Sequence, residues 1–127
     1  MHLIFNMFWT RDLGSMIERR KGSLWLVVMV LVIGLVSNFL QFIVSGPGAG
    51  GMSGVVYGLF GYVWMKGKLS PHEGMALHPH TEFYMVAWFV LCFTGLVGAI
   101  ANTAHAVGLI MGIVFGSAGY LRRKFLR

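Results

Sequence analysis

Long apolar runs, separated by short polar or glycine-rich breaks, dominate the pattern of this chain. Residues 24–44 contain no charged side chain, and neither do residues 83–103. Residues 104–121 form a third run, interrupted by His105 near its start. A helix of about 20 apolar residues crosses the hydrocarbon layer of a bilayer. The pattern therefore predicts an all-α integral membrane protein.

Five helical segments are predicted, at about 2–19, 23–44, 52–65, 82–100 and 102–122, within one membrane domain, 1–127. The third has about 14 residues, which at about 1.5 Å per residue is too short to span a bilayer. The glycine-rich break before it, at 46–51, is therefore expected to enter the membrane. Irregular backbone is tolerated there only where protein or a water-filled cavity satisfies its polar groups.

Composition agrees with this prediction, because 57% of the residues are hydrophobic and only 11% are charged. A soluble domain of this size needs more charged side chains to cover its surface.

The net charge of +6 comes from basic residues that cluster at the ends of apolar segments. The connections at 45–51 and 98–103 carry none of them. This alternation is typical of the positive-inside rule, whereas a nucleic-acid surface would place stacking aromatics among its lysines. We therefore predict no nucleic-acid binding.

The same alternation places the basic clusters and the C-terminus in the cytoplasm, and the glycine break outside. Ser53 follows that break and His105 begins the last helix, so both descend from the outer side. An ionisable group in a membrane helix is costly and is a candidate functional residue. The alternatives are an interfacial histidine satisfied by water or a carbonyl, and an ordinary serine of a membrane helix. Together the two residues are a candidate Ser–His dyad.

Small residues at four-residue spacing would let the two helices approach closely. Gly54 and Gly58 are one such pair, and the last helix carries a stripe of Ala104, Gly108, Gly112 and Gly116. Helix packing alone is a sufficient explanation for the stripe. His2 and Asn6, four residues apart on the first segment, could donate hydrogen bonds to a developing oxyanion.

The sequence excludes a catalytic triad, an α/β-hydrolase site and a standard zinc site. The carboxylates Asp12, Glu18, Glu73 and Glu82 all lie towards the basic ends, so no third member of a triad is available. The sequence "GMSGV" lacks the last glycine of the α/β-hydrolase elbow, and no βαβ pattern exists. The linker residues His72, Glu73, His78 and His80 do not have a standard zinc spacing. They are expected to form a solvated loop, and no metal or cofactor is predicted.

The motifs that contain His2, Ser53 and His105 resemble those of the rhomboid intramembrane serine proteases, in particular bacterial members. The resemblance covers the chain nearly end to end and is carried by "HLIFNMFW", "GMSGVVYGLFGYVW" and "ANTAHAVGLIMG". It implies that Ser53 is the nucleophile and His105 the general base and later the acid. It also implies an oxyanion and substrate-binding region that contains His2, Asn6, Gly51, Met52 and the backbone N–H of Ser53. Supporting roles would fall to Tyr57, Gly54, Gly108, Gly112, Glu18 and Trp88.

In this family Tyr57 would stack against the catalytic histidine, and Trp88 would line a lateral entrance for substrate. Gly108 would permit close helix contact, and Glu18 would be a structural glutamate. The family core has six helices, whereas this chain opens at the second, so five helices of that bundle are expected.

The implied function is the hydrolysis of peptide bonds in or near the transmembrane segments of other proteins. The bilayer would be a bacterial inner membrane, with the site open to the periplasm. Two alternatives stay open: a non-catalytic relative that binds membrane helices, and a fragment of a small transporter or channel. No oligomeric state is predicted.

Overall fold

The computed structural model describes residues 2–46, 51–94 and 102–126, without the side chains of residues 2, 3 and 5. These ranges contain no strand. They form the helices α1 (His2–Lys21), α2 (Ser23–Ser45), α3 (Ser53–Leu69), α4 (Pro79–Thr94) and α5 (Asn102–Phe125), and the 3-10 turn η1 (Pro71–Glu73). The predicted all-α class is therefore confirmed. By length and composition, α2 and α5 can each cross a membrane.

Several predicted helix boundaries differ from the structure, by three or more residues at the end of α3, the start of α4 and the end of α5. The helix α3 continues to Leu69 and has 17 residues, which is about 25 Å, so the prediction that it ends near residue 65 is wrong. Its last turn persists because Lys66 is buried and ion-paired at this point. The helix α4 begins at Pro79, whose missing N–H is tolerated in a first turn. Its predicted continuation to residue 100 lies outside the described residues.

The helix α3 is the centre of the bundle. Every residue from Ser53 to Val63 is buried, as expected for a helix that is apolar on all sides. The helices α1, α2 and α5 all pack against it. The outer faces of the surrounding helices are apolar and exposed, for example at Leu35 and Phe83. The core therefore lies around α3, and the outer surface has the character of a lipid-facing surface.

The helices α3 and α5 run parallel and touch through their backbones. A Cβ atom on Gly108 would overlap the carbonyl oxygen of Gly54, and one on Gly112 would overlap that of Gly58. A Cβ on Gly116 would lie 2.7 Å from the Tyr62 carbonyl oxygen. The predicted small-residue stripe is therefore confirmed as a contact surface. Because the helices are parallel, α3 and α5 begin at the same end of the bundle, here called the site end.

The opposite end, called the basic end, is held together by charged groups. Glu73 in η1 accepts hydrogen bonds from Lys21 Nζ at 2.6 Å and from Lys66 Nζ at 2.8 Å. Arg123 at the end of α5 donates to Ser70 Oγ at 2.9 Å. These contacts join α1, α3, η1 and α5.

The linker between α3 and α4 is not simply a solvated loop. The side chains of His72, His78 and His80 are exposed as expected, but Ser70 and Met75 are fully buried. Glu73 is also largely enclosed, by the two lysines. Burial alone would raise the pKa of Glu73, but the hydrogen bonds and charges of Lys21 and Lys66 outweigh it and lower the pKa to about 2. The linker therefore closes the basic end of the bundle.

The backbone contact between α3 and α5 leads to a first prediction. Gly112→Ala places a methyl group on the Gly58 carbonyl and forces the helices apart, so we expect a loss of about 1–3 kcal/mol in unfolding free energy. Gly119→Ala on the same helix is the matched control, because its Cβ would meet only side-chain atoms at ordinary distances of 3.6 and 3.7 Å. Thermal unfolding in detergent micelles measures both variants. Equal stability of the two would contradict the contact.

The Glu73 cluster (Lys21, Lys66 and Glu73) leads to a second prediction. Because the pKa of Glu73 is lowered on folding, its contribution to stability is present above about pH 4.5 and is lost as the pH falls towards 2. Glu73→Gln should therefore cost about 3 kcal/mol at neutral pH, by leaving Lys66 buried without its partner. The difference from the parent chain should shrink in acid. Unfolding at a series of pH values tests this, with the exposed Asp12→Asn as the control. A difference that does not change with pH would refute it.

Candidate active site

Ser53 is the first residue of α3 and is 5% exposed. The first intrahelical bond runs from the Val56 N–H to the Met52 carbonyl, at 2.9 Å. The N–H groups of Ser53 and Gly54 therefore precede the regular ladder and point out of the helix start. The positive end of the helix dipole lies at the same point, which favours negative charge beside the Ser53 hydroxyl.

The backbone before Ser53 is held by Asn38 of α2. Asn38 Oδ1 accepts the Gly51 N–H at 2.8 Å, and Asn38 Nδ2 donates to the Gly51 carbonyl at 3.1 Å. Gly51 has a φ of +120°, a conformation that a side chain rarely permits. One amide side chain therefore satisfies both polar groups of a residue that lies two positions before Ser53. Residues 47–50 of the predicted break lie outside the described residues.

His105 lies in the first turns of α5 and is 1% exposed. The residue before it, Ala104, donates its N–H to Gln41 Oε1 of α2 at 2.9 Å, in a buried bond. Gln41 also donates from Nε2 to Ser45 Oγ, at 2.9 Å. Gln41 thus satisfies one of the free N–H groups at the start of α5 and fixes the height at which His105 enters the bundle.

Gly54 is the point where α2, α3 and α5 meet. A Cβ atom there would lie 2.7 Å from Ser37 Oγ and 2.9 Å from the Ala104 carbonyl oxygen. Ser53 directly precedes Gly54, and His105 directly follows Ala104. Ser53 and His105 are therefore each one residue away from the contact between Gly54 and Ala104, although they are far apart in sequence.

Tyr57 packs against His105, as the sequence analysis expects. The two ring centroids are 5.0 Å apart, at an interplanar angle of 39°. The Tyr57 hydroxyl donates to the Met85 carbonyl of α4 at 3.0 Å, in a buried bond. Phe89 of α4 meets the same tyrosine ring edge-on, at 5.3 Å. Tyr57 therefore contacts both the imidazole ring of His105 and the helix α4.

A cleft of about 250 Å³ opens between α1 and the start of α3. Asn6, Met7, Thr10, Arg11 and Met52 line it. Asn6 is 7% exposed and Met52, beside Ser53, is 41% exposed. Two residues predicted for the oxyanion and substrate region therefore share one cavity. The side chain of His2 lies outside the described part of the chain.

Two other predicted supporting residues are Trp88 and Glu18. Trp88 is half-buried on α4. Glu18 is exposed at the basic end, where it accepts a hydrogen bond from Ser23 Oγ at 2.8 Å across the turn between α1 and α2. Its contact stabilises that turn and does not reach the site.

Three residues at the site are absent from the motifs of the sequence: Asn38, Gln41 and Arg11. The signal for the first two was present: polar side chains within an otherwise apolar run are expensive unless they have a partner. Arg11 stands between Thr10 and Asp12, so no apolar run distinguishes it in the sequence. What the pattern could not supply was the identity of the groups they contact.

A family model and two curated relatives indicate the same family for this chain. A family model for the rhomboid domain matches residues 1–122. Similar curated proteins include the rhomboid protease GlpG of Klebsiella pneumoniae subsp. pneumoniae and that of Klebsiella pneumoniae strain 342. Each is 42% identical to this chain over 114 residues, which are 89% of the chain and 41% of the relative. The chain thus spans about two fifths of the length of these relatives. On this evidence the chain belongs to the rhomboid family and is an integral membrane protein.

Proposed function

We propose that this chain carries the catalytic site of an intramembrane serine protease, with Ser53 and His105 as a dyad. The observation that carries the proposal is the parallel contact of α3 and α5, which places both helix starts at the site end. Burial of both side chains and the packing of Tyr57 on His105 support it. The resemblance to rhomboid proteases named for their activity supports the same chemistry.

In the proposed mechanism, Ser53 Oγ attacks the carbonyl carbon of the scissile peptide bond while His105 takes the hydroxyl proton. The carbonyl oxygen becomes an oxyanion, stabilised by the backbone N–H of Ser53 and the amide of Asn6. The C–N bond then breaks, and His105 returns the proton to the leaving amine. Water, activated by His105, cleaves the resulting ester and restores Ser53.

The proposed substrates are transmembrane segments of other proteins. The bundle presents apolar faces to lipid. The cleft lined by Met52, the residue before Ser53, is proposed to receive an extended peptide. Local unwinding of the substrate helix would expose the peptide bond that Ser53 attacks. The half-buried Trp88 on α4 is proposed to line the lateral entrance.

We also propose that the basic end faces the cytoplasm of a bacterial cell, which places the protein in the inner membrane with its site open to the periplasm. The basic residues at the ends of α1, α3 and α5 support this orientation through the positive-inside rule.

The dyad predicts a specific pattern of covalent labelling by a fluorophosphonate probe. Ser53 should be labelled, and Ser53→Ala should abolish the labelling because the nucleophile is gone. His105→Ala should slow it about 100-fold or more, because the hydroxyl loses its base. Asn6→Ala should have a smaller effect, since the backbone N–H of Ser53 also stabilises the oxyanion. The exposed Ser15→Ala is the control and should label like the parent chain.

Rates from in-gel fluorescence and the labelled peptide from mass spectrometry provide the measurement. An unlabelled parent chain, or a His105→Ala variant that labels at the parent rate, would contradict the proposed catalysis. Unchanged thermal unfolding of each variant shows that the bundle is intact.

The proposed orientation predicts which cysteines react from outside the cell. In a Cys92→Ala background, Ser45→Cys should react with a membrane-impermeant maleimide in intact spheroplasts. Lys68→Cys should react only after lysis, because it lies at the basic end. Labelling of Lys68→Cys in intact spheroplasts would reverse the orientation and move the site to the cytoplasmic side.

A further inference from the structure

Asn38 of α2 uses both hydrogens and the oxygen of its side-chain amide. Oδ1 accepts the Gly51 N–H at 2.8 Å, and Nδ2 donates to the Gly51 carbonyl at 3.1 Å. Nδ2 also donates to the Gly34 carbonyl, one turn earlier on α2, at 2.9 Å. Because only the amide nitrogen can donate, the bond to Gly34 determines which way round the amide stands and turns Oδ1 towards the Gly51 N–H. We call the two bonds between Asn38 and Gly51 the Gly51 clamp.

The clamp has a fixed base because α2 packs closely against the first turn of α3. A Cβ atom on Gly34 would lie 3.3 Å from Cγ2 of the fully buried Val55. Ser37, the residue before Asn38, has its Oγ 2.7 Å from where a Cβ on Gly54 would stand. Such close packing leaves little room for α2 to shift relative to α3. The Asn38 amide is therefore held at a set distance from the backbone that leads into α3.

Little else in the described part of the chain restricts the backbone of Gly51. The residue is exposed, and a Cβ atom on it would meet no other part of the described chain within 4 Å. Its φ of +120° is one of many conformations that glycine reaches at low cost. Met52, at the N-cap position of α3, makes no capping side-chain hydrogen bond. The two bonds from Asn38 therefore select one conformation of Gly51.

The clamp also sets the direction of the next peptide group. A trans peptide bond is planar, and its C=O and N–H point in opposite directions. Because the Gly51 carbonyl faces Asn38 on α2, the Met52 N–H of the same peptide group faces away from α2. The cleft that Asn6 and Met52 line has no lining residue from α2. The Met52 N–H and the cleft therefore both lie on the side of the α3 start that is turned away from α2.

We propose that Asn38 is a positioning residue for the proposed proteolysis. By holding both polar groups of Gly51, it keeps the Met52 N–H in place as a donor to the oxyanion. This donor acts beside the Ser53 N–H and the Asn6 amide. Without the clamp, Gly51 samples other conformations and the donor leaves its place. The inference rests on the proposed function, because the donor has this role only if Ser53 forms an oxyanion.

The competing explanation is that Asn38 only ties the chain before α3 to α2. A purely structural bond contributes to stability and has no selective effect on the transition state. A positioned oxyanion donor acts on the transition state more than on the bound ground state, so its loss lowers the rate and leaves binding nearly unchanged. The two explanations are therefore separated by the maximal labelling rate, kinact, and the half-saturating probe concentration, KI.

The experiment uses the whole chain in detergent micelles with a fluorophosphonate probe, whose phosphoryl oxygen takes the place of the oxyanion. Asn38→Leu has a side chain of similar volume and removes all three hydrogen bonds of the amide. Its kinact should fall about tenfold, less than the ~10²–10³-fold loss for deleting an oxyanion donor outright, and its KI should stay that of the parent chain. Glu73→Gln is the control, because it loses stability at the basic end and should label at the parent rate.

A second variant disturbs the same peptide group without changing Asn38. Gly51→Ala meets no steric obstacle but is strained at a φ of +120°, so it should also lower kinact. Both changes act on one backbone conformation, so the double variant should be less impaired than the product of the two single losses. A loss in the double variant that equals this product would contradict the inference.

Hydrogen exchange of the Gly51 N–H, measured by NMR in a Ser53→Ala background, reports on the clamp independently of catalysis. Exchange should be faster in Asn38→Leu than in its parent, and an unchanged exchange rate would overturn the inference. A labelled parent chain with the same kinact in Asn38→Leu would also overturn the positioning role but leave the proposed function in place. A parent chain that is not labelled at Ser53 would overturn both.

Discussion

The backbone contact between α3 and α5 is the constraint on which the rest of this structure depends. Gly54 and Gly58 present carbonyl groups to Gly108 and Gly112 at a separation that leaves no room for a Cβ atom. In lipid there is no hydrophobic gain from bringing two apolar helices together, so close van der Waals packing is a main source of attraction. The contact also fixes the relative height of the two helices, because each glycine faces one particular carbonyl. That height places Ser53 and His105 beside the same crossing.

Hydrogen bonds from α2 keep the site in place once the helices meet. Asn38 satisfies Gly51 before Ser53, and Gln41 satisfies the Ala104 N–H before His105. A buried polar group without a partner is expensive, so each amide ties a helix start to α2. Each bond involves a backbone group that precedes Ser53 or His105 in the chain. Neither bond uses the Ser53 hydroxyl or the His105 imidazole.

The two ends of the bundle are stabilised by different physics. The site end relies on neutral hydrogen bonds and on the Tyr57 contacts, which join α3 to α4 and α5. The basic end relies on charge, with Glu73 held ionised between Lys21 and Lys66. Ions of opposite sign near the membrane surface are partly screened and individually weak. The burial of Lys66 makes this ion pair less screened than an exposed pair, so the linker is held against α3.

The sequence by itself determined the all-α class, the approximate position of every helix, the small-residue stripe and the family. These follow from local pattern: hydrophobic runs, glycine spacing and the motifs around Ser53 and His105. Only the tertiary structure decided which glycines of α3 and α5 face each other, the length of α3, and the burial of Ser70 and Met75 in the linker. It also decided that Asn38 and Gln41 hold the two helix starts and that Arg11 lines the cleft. The reason is physical: periodicity reports which face of a segment is apolar, whereas a hydrogen-bond partner or a backbone contact depends on distances of a few ångströms between residues far apart in sequence.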